Sequence, residues 1–145
     1  MKYAFFPGCV LKGAAAEAYT SMQKVCEKIG IELVEIENWT CCGASHAQGV
    51  NDLAALAVNA RNISIAEYMG LPIMTICNTC TLQLRTVKHR LDSDEKLKEK
   101  VNNILKEAGH PYQYQGTYEI THFLWVLDKH SELLKDKITR PLSDL

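Results

Sequence analysis

The sequence predicts an α/β domain, a Rossmann-like open and mostly parallel sheet flanked by helices, and three observations carry that expectation. Short apolar segments at Lys2–Phe6, Ile31–Ile36 and Leu71–Ile76 are each followed in sequence by a stretch of helical periodicity. Gly30 and Gly70 stand where the intervening helices should stop. Each cysteine motif follows one of the short segments: Cys9 after the first, Cys41 and Cys42 after the second, Cys77 and Cys80 after the third. In open parallel sheets, ligands gather beyond the carboxyl ends of the strands. Topology therefore brings these residues to one rim, and the sequence predicts a metal site there.

Element by element, Lys2–Phe6 reads as a buried strand that Pro7-Gly8 stops, delivering Cys9. From Gly13 the pattern turns helical, with Ala15, Ala18, Met22, Val25 and Ile29 at three- and four-residue steps and Gly30 as the stop. Ile31–Ile36 alternates apolar and acidic residues, a second strand with one face more exposed. A loop through Gly49 is expected next, then a long helix capped by Asn51 or Asp52 and ended by Gly70. Leu71–Ile76 is continuously apolar, as central parallel strands are. Thr81–Arg90 reads as the start of the next helix, Glu95–Ala108 as another, and Tyr112–Gly116 as a loop. Tyr118–Lys129 fits a short strand running into a helix, with its type ambiguous.

Composition narrows the function classes. A chain of 145 residues fits one domain and buries roughly two thirds of its unfolded surface, so disulfides are not needed to hold it together. With 16 basic and 17 acidic residues, no basic stripe neutralises phosphates, which argues against a nucleic-acid partner. Both signs alternate through Asp92–Glu107, the pattern of a solvated helix face. The opening apolar run Tyr3–Phe6 is too short for a signal peptide, and no apolar stretch is long enough for a transmembrane span. A cytoplasmic, reducing location is the resulting expectation, with the cysteines as thiols.

Five of the six cysteines form one pattern, C-x31-C-C-x34-C-x2-C, with Gly43 directly after the pair. Adjacent cysteines form a strained bridge, so Cys41 and Cys42 suit gripping one polynuclear centre better than bonding to each other. An ordinary cubane or a tetrahedral zinc takes four ligands, and a fifth thiolate invites a larger or distorted centre. Gly8 and Gly43 would let backbone approach sulfur, and the Asn78 or Thr79 amide could donate to it. Cys26, on the apolar stripe of the first long helix, reads as a buried structural thiol. His46 is the histidine nearest the motif and the candidate proton donor. His122 reads as a cap or packing residue, whereas His89, His110 and His130 sit in polar contexts that read as exposed. Trp39 would shield the centre, Lys12 is read as solvated, and Arg61 in an apolar helix needs a partner.

Three segments carry a family resemblance: Tyr3-Ala4-Phe5-Phe6-Pro7-Gly8-Cys9, Trp39-Thr40-Cys41-Cys42-Gly43 and Cys77-Asn78-Thr79-Cys80. Ala60-Arg61-Asn62 and Thr121-His122-Phe123-Leu124 add to it. Over about Met1–Leu127 the chain resembles the cysteine-rich CCG domain found in the B-type subunit of heterodisulfide reductase and in the E-type subunit of succinate dehydrogenases and fumarate reductases. The resemblance implies a non-cubane [4Fe-4S] cluster on Cys9, Cys41, Cys42, Cys77 and Cys80, with zinc as the alternative, since some CCG domains bind it. It implies an iron–sulfur redox subunit, or its N-terminal half, within an oxidoreductase complex rather than an enzyme active alone. In heterodisulfide reductases such a cluster cleaves a disulfide by one-electron steps; in the dehydrogenase relatives the domain serves the membrane end of an electron chain.

The partners implied are a ferredoxin-like iron–sulfur subunit and a flavoprotein subunit, with peripheral membrane association as an alternative to a purely cytoplasmic place. No G-x-G-x-x-G motif for a flavin or nicotinamide occurs, so electrons would pass to or from a partner. Family members carry two such domains in tandem. Here residues 1–137 read as one CCG domain, and 138–145 as a tail or the start of a linker to a second. Two competing classes stay open: a zinc-binding structural or docking domain, and a dithiol oxidoreductase using Cys77 and Cys80 directly.

Overall fold

The computed structural model describes residues 1–139, so most of the expected tail or linker at 138–145 lies outside the described residues. Four parallel strands form one sheet: β1 (Lys2–Phe5), β2 (Glu32–Glu35), β3 (Ile73–Thr75) and β4 (Ile120–His122), in the order β2-β1-β3-β4. Phe5 pairs with Glu35 on one side and Met74 on the other, and Thr75 pairs with His122. The chain moves from β1 to one side and then returns past it to the other. The order thus reverses between β1 and β3, the kind of switch point beside which open α/β sheets bind ligands.

Alternation along the strands feeds two cores. Ala4, Phe6 and Ile73 pack with Leu56, Ala60, Ile63, Leu84 and Val101 on one face. Phe5 and Met74 point the other way, against Met22, Cys26, Ile29, Phe123 and Val126. The first face is covered by α4 (Asp52–Tyr68), α5 (Asn78–Ser93) and α6 (Glu95–Glu107), and the second by α2 (Ala16–Ile29) and α7 (Phe123–Lys129). Short helices α1 (Gly8–Leu11), α3 (Ala44–Val50) and α8 (Ser131–Lys135) complete the described chain. None of the described helices is long and apolar enough to cross a membrane.

Capping follows the sequence closely. The Asn51 side chain accepts from the Ala54 amide at 3.0 Å and starts α4, and Asp94 accepts from Leu97 at 3.0 Å and starts α6. The Asp94 cap divides the charged run Asp92–Glu107, and Val101 and Leu105 give its second helix a buried stripe.

Several expectations need correction. The segment before Asn51 is not a loop: α3 occupies Ala44–Val50, hidden from pattern reading by Ser, Gln and Gly at helical positions. The first strand ends at Phe5, and Cys9, expected directly after it, lies within α1. The helix α5 begins at Asn78, three residues before the expected Thr81, because Cys77 caps it. Ala18, on the expected apolar stripe of α2, is exposed, while Cys26 takes its place in the core. His110 is half-buried, its Nε2 2.9 Å from the Ser64 hydroxyl and its ring edge-on to Tyr112.

Candidate metal centre

Each cysteine of the motif is positioned by the element that follows its strand. Pro7 leads into Gly8, whose φ of +71° few side-chain-bearing residues adopt, and α1 carries Cys9. A Cβ at Gly8 would lie 2.9 Å from Cys80 Sγ, so the missing side chain is what admits that sulfur. After β2, Gly43 (φ +78°) and Ala44 (φ +43°) are consecutive left-handed residues. The Gly43 amide favours the Cys41 thiolate and the Ala44 amide the Cys42 thiolate. At Gly43 a Cβ would meet Ala47 Cβ at 2.6 Å rather than any sulfur, so its role is the turn. After β3, Cys77 Sγ accepts from the Cys80 amide at 3.5 Å as the α5 cap. The amide reaching this sulfur is Cys80's, not that of Asn78 or Thr79.

The structure brings four of the five sulfurs into two contacting pairs. Cys41 Sγ lies 3.8 Å from Cys9 Sγ, and Cys42 Sγ lies 3.5 Å from Cys80 Sγ. Cys41 joins Cys42 through their shared peptide, and Cys77 meets Cys80 through the Cys80 amide. Cys42 and Cys80 are buried, Cys77 is intermediate, and Cys9 and Cys41 face solvent. Among the described residues, no group of three or more His, Cys, Asp or Glu side chains is arranged to hold a metal ion.

Electrostatics separates the thiols. The Cys80 thiol donates to Cys42 and, with the Ala44 amide, lowers Cys42 to about 6 against the desolvation that opposes it. Cys80 is pushed strongly up by the same bond and by burial, so this pair holds one proton on Cys80. The Gly43 amide favours the Cys41 thiolate, yet burial and the neighbouring Cys9 thiol outweigh it and leave Cys41 raised. Cys26 stands apart in the second core, pushed up to about 11 by burial, an inert structural thiol as expected.

The remaining singled-out residues have definite places. His46 is exposed on α3, and no hydrogen bond joins it to a thiol among the described residues. His122 is buried; its Nε2–H donates to the Ile76 carbonyl at 2.8 Å while Nδ1 accepts from Leu124 at 3.1 Å, capping α7 and bracing the residue before Cys77. Trp39 stands edge-on to Phe6 and donates to Glu35 at 3.3 Å. Arg61 finds its partner in the Asn38 carbonyl at 2.8 Å, and Lys12 pairs with Glu35 at 2.6 Å rather than standing alone in solvent. Beside Cys41 and Cys42 runs an apolar cleft of about 360 Å³ floored by Ala47, Val50, Ala54 and Val58.

Sequence reasoning gave no role to two buried carboxamides on α4. Asn59 donates to the Cys42 carbonyl at 3.0 Å and to Ala55 at 2.9 Å. Asn62 donates to the Thr40 carbonyl at 2.8 Å and accepts from the Thr40 amide at 2.9 Å. The available signal was two asparagines about one turn apart in a mostly apolar helix.

The fold is shared with a hypothetical protein from Helicobacter pylori, at a TM-score of 0.75 and 20% identity over 86% of this chain and 25% of that one. The family model described as a cysteine-rich domain, CCG, matches residues 3–85. At 48% identity over 99% of its length, the chain is similar to the 8-methylmenaquinol:fumarate reductase membrane anchor subunit of Wolinella succinogenes. It is 31% identical, over its whole length, to a protein of Archaeoglobus profundus named for its likeness to the B-type subunit of heterodisulfide reductase. The chain belongs to the CCG cysteine-rich domain family. It spans about half the length of these curated relatives, 49% of each.

Proposed function

We propose that this chain is an iron–sulfur redox module of a multisubunit reductase, with Cys9, Cys41, Cys42, Cys77 and Cys80 as the ligands of one non-cubane [4Fe-4S] centre. The observation that carries the reading is the two thiol pairs, Cys9–Cys41 and Cys42–Cys80, with Cys77 capping the helix that bears Cys80. The sulfurs divide into a surface pair and a buried pair joined through adjacent residues, a donor set suited to more than one metal atom. Gly8 leaves room where Cys80 Sγ sits, and the Cys80 amide already bonds the Cys77 sulfur. Bound there, an iron–sulfur cluster would supply one-electron transfer.

The chain's own residues do the rest. Amide dipoles stabilise thiolate charge, Cys42 is poised as a thiolate near neutral pH, and the exposed Cys9–Cys41 side leaves the centre open to a partner or substrate. The names of the relatives, which point to a fumarate reductase and a heterodisulfide reductase, support a place in a reductase complex. The partners proposed are a ferredoxin-like iron–sulfur subunit and a flavoprotein, with a second CCG domain, a quinone-side or disulfide acceptor, and a cytoplasmic or membrane-peripheral location. His46, exposed on the rim helix, is the proposed proton donor; His46→Gln should slow turnover of the assembled complex while leaving metal content unchanged.

Anaerobic reconstitution with iron and sulfide tests the reading. The expected product is brown, with visible absorbance that dithionite bleaches. A colourless chain holding zinc without acid-labile sulfide would establish the structural or docking alternative. Redox activity that survives Cys9→Ser and Cys41→Ser would instead point to Cys77 and Cys80 acting as a dithiol.

A further inference from the structure

The segment Thr40–Cys41–Cys42 is not held by strand pairing, since β2 ends at Glu35 and α3 begins at Ala44. Its hold comes from α4. Asn62, fully buried, makes three hydrogen bonds to one residue: Oδ1 accepts from the Thr40 amide at 2.9 Å and its hydroxyl at 3.2 Å, and Nδ2 donates to the Thr40 carbonyl at 2.8 Å. Asn59, 1% exposed and three residues earlier, donates to the Cys42 carbonyl at 3.0 Å.

The Asn59 orientation is fixed, because a flipped amide would set its oxygen against the carbonyls of both Cys42 and Ala55. Its Oδ1 is buried with no hydrogen-bond partner among the described residues. A buried acceptor left unmatched costs stability, so the residue is better explained by what its donor holds than by packing.

We propose that Asn59 and Asn62 are positioning residues that clamp the peptides on either side of the Cys41–Cys42 pair. In a trans peptide the carbonyl and the next amide point in opposite directions. By holding the Cys42 carbonyl against α4, Asn59 aims the Gly43 amide the other way, and that amide favours the Cys41 thiolate. By holding Thr40, Asn62 fixes where Cys41 departs from the chain, and so sets its sulfur 3.8 Å from that of Cys9. The clamp makes the spread of the adjacent cysteines a property of the apoprotein, present before any metal arrives. It rests on the five thiols forming one site, and its test uses the metal-free chain, so the outcome does not depend on whether iron or zinc is bound.

The experiment measures the effective concentration of Cys9 and Cys41 toward each other in a glutathione redox buffer, with the bridge located by alkylation and peptide mapping. The bridge forms by two exchanges. One protein thiolate displaces a glutathione thiolate from oxidised glutathione, and the partner sulfur then displaces the second. The pair loses two electrons and two protons and yields two reduced glutathiones. Asn59→Leu and Asn62→Leu are each expected to lower the Cys9–Cys41 effective concentration about tenfold, the weight of a lost hydrogen bond to a buried carbonyl. Thr40→Val, which removes only the hydroxyl contact, should stay close to wild type. Cys26, buried in the other core, reports global opening through its own alkylation rate. An unchanged effective concentration in both leucine variants would overturn the proposal. So would Cys26 reacting as fast as the rim cysteines, which would make the asparagines keepers of the whole fold.

Discussion

At the scale of single residues, the site was legible wherever chemistry is tied to residue type and hidden wherever it is tied to placement. Spacing alone selected five thiols and set Cys26 aside; in the structure Cys9 meets Cys41, Cys42 meets Cys80, Cys77 caps the helix that bears Cys80, and Cys26 lies in the second core. Asparagine has no such signature, and only the spacing of Asn59 and Asn62 along one helix hints that these two are buried. Gly8 was singled out for close approach to sulfur, and the 2.9 Å between its would-be Cβ and Cys80 Sγ gives that reading a physical form. Gly8→Ala should therefore lower stability by about 1–2 kcal/mol from the left-handed backbone alone, read as a lower urea midpoint, and should also displace Cys80. An unchanged midpoint would show that the backbone relaxes freely there.

The Cys42–Cys80 pair predicts a pH profile. Cys42 has a folded pKa of about 6 against an ordinary 9.0, so the unfolded chain binds more protons between these values. Its contribution is fully present above the unfolded value and is lost as pH falls through 6. Cys80 is shifted up, so its contribution is lost as pH rises above the ordinary thiol range. The reduced, metal-free chain should gain stability from pH 6 toward pH 9 and decline beyond it. The difference between wild type and Cys80→Ala in urea melts at each pH isolates this pair, and a flat difference would contradict the proton-sharing arrangement.

At the scale of elements, periodicity and caps read true while short irregular helices did not. The long helix α4 declared itself by its cap and its length, and Asn51→Ala should cost about 1 kcal/mol through loss of that cap, visible as a lower thermal midpoint. A midpoint within error of wild type would mean that Asp52, already bonded twice to Arg90 at 2.7 Å, holds the helix start without it. By contrast, α1 and α3 span 4 and 7 residues, too few for a repeating apolar face. Both lie at the cysteine rim, where tertiary contacts and left-handed turns, rather than propensity, decide the backbone. The early start of α5 has the same origin, since a cysteine sulfur is serving as the cap.

At the scale of the whole molecule, the parallel sheet and its helical layers followed from strand–helix alternation, and the rim location of the thiols followed from the sheet. The strand order did not, because nothing in the sequence says which side of β1 each crossover takes. That order matters, for the reversal between β1 and β3 sets α1 beside the start of α5 and brings Gly8 against Cys80. The relatives are about twice as long as this chain, and metal binding is the property that can be asked of the chain itself. The most direct measurement is iron and acid-labile sulfide per chain after anaerobic reconstitution, for wild type and for six single cysteine-to-serine variants. One centre on five thiolates predicts lowered iron and sulfide in each of Cys9→Ser, Cys41→Ser, Cys42→Ser, Cys77→Ser and Cys80→Ser, with Cys26→Ser at the wild-type level. Wild-type iron and sulfide in any of the first five, or zinc without sulfide in the parent chain, would contradict it.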